Sequence, residues 1–173
     1  MDAGKTNISN IYNYNRSLEI PFFQRSYVWS EDNWDRFLSD MILVSSENKD
    51  YFLGSLILKQ KETPSNSQIG DIRIVVDGQQ RLTTLTIFFK VLCAAQEREE
   101  DFNRQFINRA KEVILKHNHN DIEVFNAIMN DALTSETRDN NQDSCCLKCY
   151  DYFVSKQSDL KDLNFDYLLN KIY

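Results

Sequence analysis

The stretch that decides the fold is Ile72-Arg73-Ile74-Val75-Val76-Asp77-Gly78-Gln79-Gln80-Arg81-Leu82-Thr83-Thr84-Leu85. Apolar residues alternate from Ile72 to Val76, which predicts a strand. After the turn they recur at helical spacing, and this predicts a helix whose apolar face carries Leu82, Leu85, Phe88, Phe89 and Leu92. The sequence therefore predicts a strand that enters a helix through a tight glycine turn.

A helix that begins directly after such a turn is suited to bind a phosphate. Its first backbone N–H groups have no intrahelical partners, and the helix dipole adds partial positive charge. Gly78 has no side chain to obstruct an anion, and Arg81 can add a bidentate charge. Thr83 and Thr84 can donate hydroxyls to a phosphate or to a hydrated metal ion.

A structural interpretation of the same residues stays open. Asp77 can be the N-cap of the helix, with Gln80 completing a capping box three residues later. Arg81 would then be an ordinary surface residue.

A second informative stretch is Ile20-Pro21-Phe22-Phe23-Gln24-Arg25-Ser26-Tyr27-Val28-Trp29, which combines aromatic residues with an adjacent Gln24-Arg25 pair. An aromatic cluster of this kind can close the core and leave Arg25 at its rim. Because a polar pocket needs several walls, we predict instead that residues 20–29 lie beside residues 77–84.

The rest of the chain predicts an α+β fold, with an α/β part over residues 1–98 and an all-helical segment over residues 99–173. Ser30 can cap a helix with an apolar face formed by Trp34, Phe37, Leu38, Met41 and Ile42. The apolar run Tyr51–Leu58 predicts a buried strand, and residues 60–70 predict a loop. Later helices are predicted over 101–117, 121–133, 143–157 and 160–171.

Composition and charge limit the possible functions. The 173 residues carry a formal net charge of −6, without a basic tail or stripe, so an autonomous grip on DNA phosphates is not expected. The start of the chain has no apolar signal segment, and no apolar run is long enough for a membrane span. We therefore expect a cytoplasmic protein without a membrane partner.

Cysteine and histidine residues give no strong metal motif. Cys145, Cys146 and Cys149 lack the fourth ligand of a structural zinc site, so we predict neither metal nor disulfide there. The sequence His117-Asn118-His119 is interpreted as a surface turn.

Four separate blocks resemble the N-terminal domain of the GmrSD restriction endonucleases, in their order and in their spacing. These blocks are Ile20-Pro21 with Gln24-Arg25, Tyr27 and Trp29; Trp34 with Asp40; Tyr51-Phe52-Leu53-Gly54-Ser55; and Val76 through Leu85. The resemblance covers residues 8 to about 95 well, and Tyr150-Asp151-Tyr152-Phe153 resembles a tyrosine-rich helix of the family more weakly. A later family block with Phe, Asn, Arg and Gly is not found, so we expect the helical segment to be truncated.

The resemblance implies a ParB/sulfiredoxin-like mixed sheet whose glycine turn holds the phosphates of a nucleoside triphosphate. Phosphate ligands would be Gln24, Arg25, Gly78, Gln79, Gln80, Arg81, Thr83 and Thr84. Tyr27 or Trp29 would stack on the base or seal the core, and Asp77 and Arg81 would be catalytic, with Mg²⁺ as a second cofactor.

Hydrolysis would control a nuclease domain in cis or in trans, and DNA would be contacted only through the full-length protein. Two rival functions remain: a non-catalytic module that senses a nucleotide or a modified DNA base, and a ParB-like DNA-binding protein. The acidic charge counts against the second rival.

Overall fold

The structure, a computed structural model, describes residues 4–173 and is organised around one long helix, α3 (Gln79–Ala95). This helix is buried along almost its whole length, including Phe88 and Phe89, and packs against four later helices. A helix that is buried on nearly every side, as α3 is, lies inside a core. The helix α3 therefore lies at the centre of the core, and its N-terminus follows β3 directly.

Four strands and nine helices are found within residues 4–173. The strands are β1 (Arg16–Glu19), β2 (Ile57–Lys61), β3 (Asp71–Asp77) and β4 (Leu115–Lys116). The helices other than α3 are α1 (Ile8–Ile11), α2 (Glu31–Glu47), α4 (Glu99–Phe106), α5 (Ile122–Met129), α6 (Ser135–Asn140), α7 (Cys145–Ser155), α8 (Gln157–Leu160) and α9 (Phe165–Lys171). The α+β fold class is thus confirmed.

The sheet is mixed and has the strand order β2-β3-β1-β4. Strand β3 pairs in parallel with β1 and antiparallel with β2, and β1 pairs in parallel with β4. The end of β3 leads through Gly78 directly into α3, which confirms the predicted strand–turn–helix unit.

The helical segment after residue 98 needs a correction, because it is not all-helical. The helix predicted over 101–117 ends at Phe106, and Leu115–Lys116 form β4 beside Leu18–Glu19. Pairing with the exposed edge of β1 satisfies backbone groups that would otherwise face solvent. The boundary at residue 98 stays a prediction, although the sheet takes a strand from beyond it.

The strand predicted over Tyr51–Leu58 is also wrong. Strand β2 begins only at Ile57, and the backbone of Tyr51 and Leu53 bonds instead to Lys171 and Tyr173. In α2, Val44 joins the buried face, whereas Ile42 is exposed. An apolar run by itself does not show whether its residues pair in a sheet or cover another segment.

Candidate functional site

A pocket lies where β3 ends and α3 begins, with the loop after β1 as its opposite wall. Its volume is about 220 Å³, and it is lined by Gln24, Arg25, Trp29, Val76, Asp77, Gly78, Gln79, Gln80 and Arg81. The Gln24 side chain donates to the Val76 carbonyl at 3.2 Å. The prediction that residues 20–29 lie beside residues 77–84 is confirmed, and Arg25 and Arg81 face the same cavity.

The first turn of α3 lines this pocket with Gly78, Gln79, Gln80 and Arg81. Gly78 is the N-cap with φ 103°, and no side chain in the described part of the chain caps the helix. The first intrahelical bond runs from the Leu82 amide to the Gly78 carbonyl at 3.0 Å, so the preceding amides have no partner in the helix. A Cβ at Gly78 would collide with the Leu56 side chain, which leaves this position to glycine.

The capping box proposed for Asp77 and Gln80 is therefore not formed. The side chains of Gln79 and Gln80 turn to the opposite wall instead. Gln79 donates to the Arg25 carbonyl at 2.6 Å, while Gln80 donates to the Ser26 carbonyl at 3.2 Å. Gln80 also accepts the Val28 amide at 2.9 Å, so these two residues fix the loop against the helix start.

The charges at the pocket are two guanidinium groups and one carboxylate. Arg81 is mostly buried and donates to Asp77 at 3.1 Å, while the Asp77 side chain is 59% exposed. Arg25 is exposed and forms no ion pair with any residue from 4 to 173. Together with the free amides of α3, these charges make the pocket attractive to an anion.

Three predicted site residues lie in the core rather than in the pocket. Thr83 and Thr84 are fully buried, and their hydroxyls bond to the carbonyls of Gln79 and Gln80. The Tyr27 hydroxyl lies 2.6 Å from that of Thr84, and burial raises the pKa of this tyrosine. Thr83, Thr84 and Tyr27 are therefore not among the residues that line the pocket, whereas the half-buried Trp29 is.

Two buried polar residues, His117 and Asp121, bond to residues next to the pocket, and the sequence did not indicate this role. His117 is buried, contrary to its interpretation as a surface turn, and its Nε2 lies 2.8 Å from the Thr83 hydroxyl. Asp121 accepts the Tyr27 amide at 2.8 Å, and burial raises the pKa of its carboxyl. Neither residue belongs to a motif, because both act through contacts between distant parts of the chain.

The blocks named in the sequence support one another in space. Trp34 donates to the Tyr27 hydroxyl at 2.7 Å, and the Tyr51 hydroxyl donates to Asp40 at 2.9 Å. Gly54 packs against the guanidinium of Arg81. A motif scattered over some 60 residues is thus one structural unit around the start of α3.

This unit agrees with a match to a family model described as the GmrSD restriction endonuclease, N-terminal domain, over residues 8–173. The chain belongs to this family. The GmrSD match extends past residue 95 and includes α9, so the helical segment is part of the family domain. No curated protein matches the chain.

Residues 4–173 of this GmrSD domain contain neither a membrane-spanning helix nor a cluster of metal ligands. No helix there is long and apolar enough to cross a bilayer. No group of three or more His, Cys, Asp or Glu residues there is arranged to hold a metal ion, and all four cysteines are free.

Proposed function

We propose that this GmrSD domain binds a nucleoside triphosphate in the pocket at the start of α3 and hydrolyses it. The domain would regulate a restriction system that acts on modified DNA. One observation carries the proposal: Arg25, Arg81 and the uncapped start of α3 line one cavity. Such convergence of positive groups has a clear use only if an anion binds there.

Binding is favoured because the cavity is already ordered. Three hydrogen bonds donated by the side chains of Gln24, Gln79 and Gln80 join its two walls, as does the bond from the Val28 amide to Gln80. A phosphate that enters would not have to order a loop, so little affinity would be lost to conformational entropy. Trp29 provides an apolar surface at the edge of the cavity on which a base can stack.

Hydrolysis would depend on Asp77 and Arg81. Arg81 would bind the charge that develops on the transferred phosphoryl group. Asp77 is exposed, so its ion pair with Arg81 is easily exchanged for another partner. A single carboxylate fits Mg²⁺, which commonly binds through one or two carboxylates together with the phosphates and would neutralise their charge.

The sensing module remains a second candidate, and one observation favours it. Asp77 is the only carboxylate among the residues that line the pocket, and it contacts Arg81. Without another general base, the domain would bind a nucleotide and pass that state to a nuclease domain in cis or in trans. DNA contact through the full-length protein agrees with the net charge of −6 on this chain.

The test compares binding and turnover in the same purified chain. Titration calorimetry with ATP, GTP, CTP and UTP and Mg²⁺ is combined with phosphate release, for wild type, Asp77→Asn and Asp166→Asn. Asp166 is a matched control because it is also exposed and also pairs with an arginine, Arg98. We expect Asp77→Asn to bind within a few-fold of wild type and to lose turnover, while Asp166→Asn keeps both.

The other outcomes decide between the candidates. Binding without turnover in wild type supports the sensing module. Turnover in Asp77→Asn equal to that of wild type removes Asp77 from the mechanism. If none of the four nucleotides binds, the pocket is not a nucleotide site.

A further inference from the structure

The guanidinium of Arg81 lies directly against the backbone of Gly54. A Cβ on Gly54 would overlap Nη1 of Arg81 and would lie 3.1 Å from its Cζ. Gly54 also has φ +126°, a conformation that residues with a side chain rarely adopt. The close approach of this backbone therefore depends on glycine.

The segment that carries Gly54 is held in place from both sides. The Tyr51 amide donates to the Lys171 carbonyl at 2.8 Å, and the Leu53 amide donates to the Tyr173 carbonyl at 2.7 Å. The Tyr173 amide returns a bond to the Tyr51 carbonyl at 2.8 Å. The Tyr51 hydroxyl adds a bond to Asp40 on α2. Because the backbone of residues 51–54 is anchored in this way, a side chain added at Gly54 would displace the flexible end of Arg81 rather than this backbone.

From this contact we infer that Gly54 is a positioning residue for the anion site, forming a seat that fixes the Arg81 guanidinium at the pocket. The inference rests on the proposed function, since it assigns the seat to phosphate binding. Asp77 is the guanidinium's one hydrogen-bonding side chain within residues 4–173, and it is too exposed to fix the group alone. The seat adds the second constraint that a bidentate contact with a phosphate requires.

The contact predicts that the effect of a substitution at Gly54 on anion binding depends on which residue occupies position 81. Gly54→Ala would push the guanidinium away from its position. Lysine at position 81 keeps the positive charge but lacks the atoms that would collide, so Gly54→Ala should have no effect on binding there. Any backbone strain from alanine at this φ would be the same in both backgrounds, and comparison of the two backgrounds removes it.

The experiment is a double-mutant cycle with inorganic triphosphate as the probe, measured by titration calorimetry. Its members are wild type, Gly54→Ala, Arg81→Lys and the double variant, with Gly70→Ala as the control. Gly70 precedes β3 at the end opposite the pocket, and the three heavy atoms nearest to a Cβ there would all belong to the Asn15 side chain. We expect Gly54→Ala to weaken binding about tenfold in the wild-type background and less than about twofold with Arg81→Lys.

A ligand-free measurement separates the seat from the proposed function. The Nε–H signal of Arg81 in ¹⁵N spectra, assigned by its loss in Arg81→Lys, should shift in Gly54→Ala and stay in place in Gly70→Ala. An unchanged signal, or an equal loss of binding in both backgrounds, overturns the inference. A shifted signal with no triphosphate binding to wild type shows that the seat exists but that the proposed function is wrong.

Discussion

At the scale of single residues, Gln79 and Gln80 show how one segment serves both the fold and the pocket. Both residues line the cavity at the start of α3, while their side chains bind the opposite wall. Adjacent amide side chains in the first turn of a helix can reach a neighbouring loop because their own helix gives them no partner. The loop from Gln24 to Trp29 is thus held by α3 and by Asp121 rather than by a strand or a helix of its own.

We expect Gln80→Ala to lower the free energy of unfolding by about 1–2 kcal/mol, because two hydrogen bonds to the loop are lost. Urea denaturation measures this change, with Gln60→Ala on the exposed edge strand β2 as the control. An unfolding midpoint equal to that of wild type would show that water replaces these bonds without cost.

Arg81→Ala should affect binding much more than folding. Loss of a charge-assisted hydrogen bond is expected to cost about 1.5–3 kcal/mol, or roughly ten- to a hundredfold in affinity for a triphosphate. The ion pair with the exposed Asp77 contributes only about 0–1 kcal/mol to stability, so melting should change little.

Calorimetric titration and thermal melts of wild type and Arg81→Ala check this prediction. Equal affinities would show that Arg81 does not bind the ligand. A large loss of thermal stability without ligand would make it a structural residue.

At the scale of elements, the segment that follows β4 packs against α3 near its first turn. His117 follows the two residues of that strand directly; its ring packs on Phe125 and faces the Thr83 hydroxyl. Its Nδ1 has no hydrogen-bond partner among residues 4–173 and lies 3.8 Å from Asp121. Burial lowers the pKa of His117 from 6.5 to about 3, so the ring is neutral in the folded protein at neutral pH.

This buried histidine predicts a loss of stability in mild acid. Between pH 6.5 and about 3 the unfolded chain binds a proton that the folded chain excludes, so the free energy of unfolding falls as pH decreases. The fall approaches about 1.4 kcal/mol per pH unit in the middle of this window. The raised pKa of Asp121 acts in the opposite direction at the acid end, because the folded state retains that proton longer.

Urea denaturation from pH 4 to 7 of wild type and His117→Gln isolates the histidine contribution. The variant should have a weaker dependence on pH across this range. If both proteins have the same dependence, His117 is accessible to protons in the folded state.

At the scale of the whole molecule, the two ends of the described chain and both parts of the fold share one core. Buried side chains from Ile8 to Ile172 form a single hydrophobic cluster. β4 completes the sheet from beyond residue 98, and residues 171–173 bond to the segment that leads to Gly54. The pocket therefore depends on contacts from both sides of residue 98.

We expect residues 1–98 and 99–173 to unfold together, because neither part retains a complete core without the other. Fluorescence of Trp29 and Trp34 reports on the first part, whereas far-ultraviolet circular dichroism reports mainly on the helices of both. The two urea transitions should coincide. Separate midpoints would show that residue 98 is a true domain boundary.

The local features of this protein follow from its sequence alone. The alternation of β3, the glycine turn and the apolar periodicity of α3 are properties of neighbouring residues, and all three were predicted correctly. The motif blocks led to the GmrSD family, and the proximity of Arg25 and Arg81 was anticipated from them.

Only the tertiary structure decided what each polar side chain does. Thr83 and Thr84 lie in the same motif as Arg81, but α3 turns them into the core. The backbone of Tyr51–Leu53 pairs with residues 171–173, about 120 residues further along the chain, and β4 forms only because the edge of β1 is free. Neighbouring residues specify a helix or a turn, but the partner of a side chain or strand edge is set by chain segments that folding brings together.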